Sequence, residues 1–337
     1  MLELPIEPML AKAVSDVPEG DYAYEPKWDG FRCLIIRDGD SVELGSRGKK
    51  PLTRYFPELV DMARSLPSRC IVDGEIVIST GAKGSSRLSW ELLSQRIHPA
   101  ESRVRLLSSS TPAEFVAFDL LWLDDDDLTA LPFRERRARL EELFGAPLHP
   151  SLHLTAVTHD AAVARDWFER FEGAGLDGVI AKPLDAPYRQ GKRDLLKIKH
   201  KRTADAVVVG YRVAKSGEGV GSLLLGMYDD DRLVRVGGIV GLPAKTRIEL
   251  VDELAPLVID EPDGSLEKPK SRFGGKEEWI ALEPKLVVEV AFDQLEGDRF
   301  RHAVSLLRWR SDRDPRSCTL DQVERPIAYD LREVFDA

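Results

Sequence analysis

Cysteine is scarce in this sequence. Cys33, Cys70 and Cys318 are the three present, and they are scattered and odd in number. That pattern excludes a disulfide framework and a zinc-binding spacing, and it suits a reducing cytoplasm. Long apolar runs are missing too. None approaches the roughly 20 residues that a bilayer-spanning helix needs, so no membrane partner is expected. The opening Met-Leu-Glu-Leu-Pro lacks the basic segment and apolar core of a secretion signal. Internal repeats and low-complexity segments are absent. Positive charge is not in excess either: the net charge is −10. Taken alone, that argues against a nucleic-acid partner, because phosphate binding is mostly electrostatic.

What remains is an ordinary globular chain, 43% hydrophobic and 31% charged. Its 337 residues exceed one usual core and suit two domains. The charge is also unevenly spread. From Lys182 to Arg202 there are eight Lys or Arg against two Asp, while acids gather at Asp124 to Asp127 and Glu249 to Glu261. A basic stripe on an acidic body is compatible with DNA, with strong salt sensitivity.

Residues 1–20, with Pro5, Pro8 and Pro18, read as an irregular lead-in. Strands are expected at Tyr22–Lys27, Phe31–Gly39 and Ser41–Arg47, with Gly39-Asp40 as a turn. An amphipathic helix follows over 53–66, then an apolar strand, Cys70–Ile78, interrupted by Asp73, Gly74 and Glu75. Residues 80–89 read as a loop, Trp90–Ile97 as a short helix and Glu114–Leu123 as an apolar strand. Periodicity predicts helices at Phe133–Phe144 and Ala161–Glu172, and short strands at Asp177–Lys182 and Leu195–Lys199. The first domain, 1–201, is therefore expected to be α+β with a largely antiparallel core. The second, 202–337, is mainly strand with one helix, Lys245–Leu257, after the third of five strands. That is the order of an OB-fold barrel.

Several short stretches could carry chemistry. Lys27 lies between two strands in Glu25-Pro26-Lys27-Trp28-Asp29-Gly30. A lysine attacks phosphorus only as a neutral amine, so such a nucleophile needs burial or neighbouring cations; otherwise it is a surface lysine in a turn. Ser46-Arg47-Gly48 offers a guanidinium for phosphate or forms a plain turn. Asp73 and Glu75 sit inside an apolar strand, where carboxylates need a cation, metal or hydroxyl, unless they are solvated on an edge. Phe118, beside Asp119, either stacks on a base or is core. Asp177 and Lys182 lie in one short strand. In Lys197-Ile198-Lys199, alternation puts both lysines on one face; a charged sheet face is the plainer explanation. Lys83, Arg87, Arg96, Arg103 and Arg105 either grip phosphates without reading sequence or form a solvated basic stretch.

Taken in order, these stretches resemble the covalent nucleotidyltransferase superfamily of DNA ligases, RNA ligases and messenger-RNA capping enzymes, over nearly the whole chain. Lys27-Trp28-Asp29-Gly30 with Arg32 matches the nucleophile motif. Ser46-Arg47-Gly48, Asp73-Gly74-Glu75, Phe118-Asp119-Leu120-Leu121, Asp177-Gly178-Val179 and Lys197-Ile198-Lys199 match the later ones. Arg308 to Arg313, RWRSDR, resembles the ligase barrel motif. The likeness is greatest to minimal bacterial ATP-dependent DNA ligases. Two positions depart from it: Asp177 stands where the family often has Glu, and Arg313 where it often has Lys. Both keep the charge.

The resemblance implies a nucleotidyltransferase (ATP-grasp-like) domain followed by an all-β OB-fold, sealing nicked duplex DNA with ATP and Mg²⁺ or Mn²⁺. Lys27 would be the nucleophile. Lys197 and Lys199 would hold the α-phosphate and depress the Lys27 amine. Arg32 and Arg47 would contact AMP and the nick 5′-phosphate, and Glu75 a ribose hydroxyl. Phe118 would stack on adenine, with Glu25 and Lys182 also at the nucleotide. Asp177, with Glu75, would be the metal ligand. Arg310, Asp312 and Arg313 would reach the pyrophosphate on barrel closure, with a hinge near Lys201 and Arg202. A monomer acting in repair beside repair polymerases, cytoplasmic and associated with the nucleoid, completes the expectation.

An RNA ligase or a GTP-using capping enzyme would use the same lysine, and a non-catalytic barrel protein with a dead nucleotidyltransferase domain is a further alternative. The 26 residues before Lys27 are too few for a nicotinamide-binding domain or a separate DNA-encircling domain, and the cysteines are too few for the zinc module of NAD-dependent ligases.

Overall fold

A computed structural model describes residues 6–337 except 49, 83, 215, 261–278, 294 and 324–326. It divides into two compact units. One takes in the described residues up to Lys199 together with the C-terminal tail, and the other begins at His200.

The first unit is built on two sheets. The larger runs Leu152–Leu154, Glu114–Leu123, Arg69–Val77, Phe31–Asp38, Ser41–Ser46 in spatial order. Its central strands are buried on both faces. Cys33 and Ile35 point into the core that the helices cover, while Leu34 and Ile36 point into a second cluster with Tyr188 and Leu195. Double burial explains why 115–121 is apolar without interruption except for Asp119. The smaller sheet has the order Ala11–Val14, Leu195–Ile198, Val179–Pro183, Tyr22–Pro26. Pairing is antiparallel in both sheets except at Ala11–Val14 with Leu195–Ile198 and Leu152–Leu154 with Glu114–Leu123.

The expected elements are present with shifted ends. The helix over 53–66 begins with a 3₁₀ turn, Thr53–Tyr55, and becomes α-helical over Pro57–Ala63. Pro57 tolerates the first helical turn because its missing N–H has no partner there anyway. Several elements differ from expectation, among them the paired strands Ser79–Thr80 and Arg87–Leu88 at the ends of the expected loop and the strand Leu152–Leu154. Ala11–Val14 is a strand inside the supposed irregular lead-in, made by pairing with a strand far along the chain. Glu101–Ser110 is a helix where no element was expected; it ends in three serines, which compete with the helix for backbone hydrogen bonds.

The second unit is one curled antiparallel sheet, an OB-fold. Arg232–Ile239, Val220–Asp229, Arg202–Val213 and Ile280–Phe292 follow one another in space, and Ser305–Trp309 also pairs with Ile280–Phe292. Register shifts at Val208/Gly210, Leu225/Gly226 and Glu289/Val290 bend the long strands. A bridge between Ile239 and Val304 links the third strand to the last. The helix Ala244–Leu254 packs Leu250 and Leu254 into the barrel core.

The C-terminal helix, Leu331–Phe335, belongs to the first unit. A division at 201 leaves this tail in the second domain, yet Leu331 and Val334 are fully buried in a cluster with Trp28, Val116 and Trp167.

Candidate active site

Strand Tyr22–Pro26 ends in proline, which has no N–H to continue a ladder. Lys27 comes next, and its backbone is tied down. Its N–H donates to Gly178 O at 2.8 Å, and its carbonyl accepts from Asp177 N at 3.0 Å. Two glycines permit this approach. A Cβ on Gly30 would lie 2.0 Å from Ile76 O, and Gly178 has φ +124° with Ile198 O 2.0 Å from where its Cβ would be.

Asp177, buried, then collects cations. Its Oδ2 meets Lys27 Nζ at 2.6 Å and Lys199 Nζ also at 2.6 Å. Lys197 is close by: burial, then the positive charges of Lys199, Lys27 and Arg47, push its amine below the ordinary lysine range. Both lysines of Lys197-Ile198-Lys199 are thus brought to Lys27, and exposed Arg47 lies within electrostatic reach of Lys197.

Glu75 accepts from Gly30 N at 3.1 Å. Burial raises its carboxyl to about 7, with Arg32 and Lys27 holding it back. Arg32 forms a bidentate pair with fully buried Asp73, both bonds 2.6 Å. Burial opposes the guanidinium charge, but Asp73 outweighs it and the group stays firmly protonated. Tyr188 Oη donates to Asp73 Oδ2 at 2.6 Å and accepts from Met9 N at 3.0 Å. The Arg32 guanidinium lies 4.4 Å from the Phe118 ring centroid, and Lys182 Nζ lies 4.8 Å from it. Lys182 also donates to Phe118 O at 2.8 Å and pairs with Glu25 Oε2 at 2.8 Å. Burial drives this pair toward neutrality, raising Glu25 and lowering Lys182. Glu25 Oε1 is buried without a hydrogen-bond partner.

In the second unit, Arg310 is clamped between two acids. Nε and Nη2 each donate to Asp312 at 2.9 Å, and Nη1 donates to both oxygens of Asp205 at 3.1 and 3.2 Å. Arg313 Nε is 3.4 Å from Asp205 Oδ2. The Arg310 hydrogen bonds pull exposed Asp312 down to about 2. Asp205 was not singled out from sequence; it lies 105 residues from Arg310, and no local signal links them.

A divalent ion has a limited fit here. Among the described residues no group of three or more His, Cys, Asp or Glu is poised around a metal. Mg²⁺ commonly takes one or two carboxylates and completes its shell with water and phosphate oxygens, so Asp177 suits it once a nucleotide supplies oxygens. Asp177 Oδ2 would have to give up a lysine partner.

One expectation is corrected. Arg96 is not available to grip phosphate. It is fully buried, bidentate to Glu58 at 2.6 and 3.0 Å, bonded to Tyr55 O and stacked over Phe56. Its sequence neighbourhood is polar, but the chain folds over it. Arg87, Arg103 and Arg105 are exposed, with Arg105 paired to Glu101; Lys83 lies outside the described residues.

Two family models match the chain: the ATP dependent DNA ligase domain over residues 8–199 and the ATP dependent DNA ligase C terminal region over 216–313. The chain belongs to the ATP-dependent DNA ligase family. It is 52% identical over 343 residues to DNA ligase C1 of Mycolicibacterium smegmatis, covering 98% of this chain and 97% of that one. Identity to DNA ligase C of Mycobacterium tuberculosis is also 52%, over 351 residues, with the same coverage of both chains. Among solved structures, the ligase domain of M. tuberculosis LigD is similar with a TM-score of 0.51 and 31% identity, covering 96% of this chain and all of that one. A Lig E DNA ligase shares the fold at a TM-score of 0.56 and 19% identity. No described helix of this ligase is long and apolar enough to cross a membrane.

Proposed function

We propose that this ligase seals 3′-hydroxyl/5′-phosphate nicks in duplex DNA through a lysyl-AMP intermediate on Lys27, in a repair setting. The observation that carries the reading is the sharing of Asp177 Oδ2 between Lys27 and Lys199, with Lys197 within electrostatic reach of all three. Lys27 Nζ, as the neutral amine left once a proton has passed to solvent, attacks the α-phosphorus of ATP; the bond to the β-phosphate oxygen breaks, and pyrophosphate leaves. The nick 5′-phosphate oxygen then attacks the same phosphorus and the Lys27 bond breaks. Finally the 3′-hydroxyl, losing its proton, attacks the nick phosphate and AMP leaves. Each step is an in-line displacement, so positioning and charge neutralisation do the work.

Asp177 accepts a hydrogen bond from Lys27 Nζ and donates its own N–H to the Lys27 carbonyl, which orients both side chain and backbone; arrival of a triphosphate competes for the lysines and frees Nζ. Lys197 and Lys199 neutralise the α-phosphate. Arg32, held by Asp73, and Arg47 meet AMP and the 5′-phosphate. Glu75 takes a ribose hydroxyl. Phe118 and Lys182 border the base, and the vacant Glu25 Oε1 supports an acceptor beside it. A bound Mg²⁺ or Mn²⁺ would shield the phosphates, with Asp177 its protein ligand and Glu75 a second carboxylate. Arg310 and Arg313, ordered by Asp205 and Asp312, would neutralise the departing pyrophosphate. The two units serve as adenylation domain and OB domain, with the tail added to the first. The reading supposes a monomer.

The test is transfer of label from α-labelled ATP, with GTP as the control, to wild type and Lys27→Ala, chased with nicked DNA or RNA. Label from ATP on the wild type alone, lost as nicked DNA is sealed, is expected. Label from GTP, sealing of RNA alone, or label on Lys27→Ala would overturn the reading.

A further inference from the structure

The tail that returns to the first unit ends against the residue next to the nucleophile. Trp28 is 5% exposed, and its Nε1 donates to Thr155 Oγ1 at 2.8 Å. The Phe335 ring stacks on its indole, centroids 5.0 Å apart at 17°. On the other side Phe335 stacks on His153 at 4.1 Å and 21°. His153 Nε2 lies 2.7 Å from Glu114 Oε2, and Glu114 Oε1 accepts from Ser79 Oγ at 2.7 Å. Three rings are thus stacked, and hydrogen bonds to Thr155 and to Glu114 fix the two outer ones.

A five-residue helix has no stability of its own, so tertiary contacts hold this one in place. Asp330 caps it, accepting from Arg332 N, and also accepts from Ser86 Oγ and Gly84 N. Leu331 N donates to Ser86 O at 2.8 Å. At the tail's other end, a Cβ on Gly173 would stand 1.9 Å from Ile327 O, so the backbones touch there. Leu331 and Val334 are buried at 1% and 0% exposure.

The Lys27 backbone is bonded to Asp177 and Gly178 on one side. Trp28 is the next covalent link on the other, and its open face is closed by Phe335. We infer that the C-terminal tail is part of the adenylation machinery: Phe335 is a positioning residue that holds Trp28, and through it sets the approach of Lys27 Nζ. The inference rests on Lys27 being the nucleophile. It adds a role for a segment that lies outside both matched family regions.

The test is single-turnover labelling from α-labelled ATP across a range of ATP concentrations. The proteins are wild type, Phe335→Ala, Phe335→Tyr, Ile327→Ala and a chain ending at Asp330, each with its thermal unfolding recorded. Because small misplacements of a reacting group are costly, Phe335→Ala should lower the maximal rate about tenfold while the ATP half-saturation stays put. Phe335→Tyr should recover the rate, as should a peptide of residues 327–337 added to the shortened chain. Ile327→Ala, altering a side chain 91% exposed, should match wild type. If folded Phe335→Ala labels at the wild-type rate, or if Phe335→Tyr is as slow as Phe335→Ala, the inference falls. A shortened chain that does not fold leaves the point variants to decide. Label on Lys27→Ala would instead sink the nucleophile reading beneath it.

Discussion

Two acid–lysine groups among the described residues of the first unit are built in opposite ways. Glu25 and Lys182 pair one to one at 2.8 Å with 3% of each side chain exposed. Asp177 shares one oxygen between Lys27 and Lys199, whose side chains are 18% and 28% exposed against its own 7%. The first group is closed and charge-matched. The second is partly open and has cations in excess, with Lys197 and Arg47 alongside. A balanced pair sealed from water has little left to offer a polyanion, and its members hold each other against the cost of burial. An unbalanced, half-open cluster is stabilised when phosphate arrives. The difference separates residues that hold the pocket's shape from residues that act on phosphate, although all are lysines and acids in short strands.

The contrast can be broken most severely at the closed pair. Lys182→Met leaves Glu25 buried without its partner, which should cost about 3–5 kcal/mol of folding stability. Adding Glu25→Gln should return most of that loss, as chemical denaturation of the single and double variants would show. If the single variant unfolds like wild type, the pair is not the structural element described here.

A smaller effect sharpens the picture at Glu75, which lies within reach of Lys27 and Arg32. Its carboxyl is raised from 4.5 to about 7 by burial, so the folded state holds a proton that the unfolded state releases above 4.5. This stabilisation is fully present below 4.5, falls as pH rises toward 7, and is gone above it. Glu75 is only partly buried, so after screening the swing should be about 1–2 kcal/mol. Unfolding of wild type and Glu75→Gln from pH 4.5 to 8 would measure it: the wild type should lose stability relative to the variant as pH rises. An opposite slope would mean that Arg32 and Lys27 dominate burial at this carboxylate.

Much of this was legible in the sequence. The alternation and apolar runs of 31–38, 70–77 and 114–123 give the central strands, and Lys27-Trp28-Asp29-Gly30 marks the strand end where the cations gather. The strand order and the helix after Ile239 mark the barrel. What stayed hidden depends on partners distant along the chain. Tyr188 meets Asp73 across 115 residues, and nothing around Tyr188 announces it. Arg96 looked like a phosphate grip because its burial is produced by Glu58 and Phe56, not by its neighbours in sequence. Leu331–Phe335 is too short for periodicity to place, and only its contacts assign it to the first unit.

The most direct test of the division between the two groups is single-turnover adenylation of Lys199→Met alongside its thermal unfolding. Removing one cation from the open cluster should slow adenylation about 10²–10³-fold and leave unfolding near wild type, since Asp177 keeps Lys27. Normal adenylation with a marked loss of stability would contradict the account, because Lys199 would then be serving the fold in the way that Lys182 does.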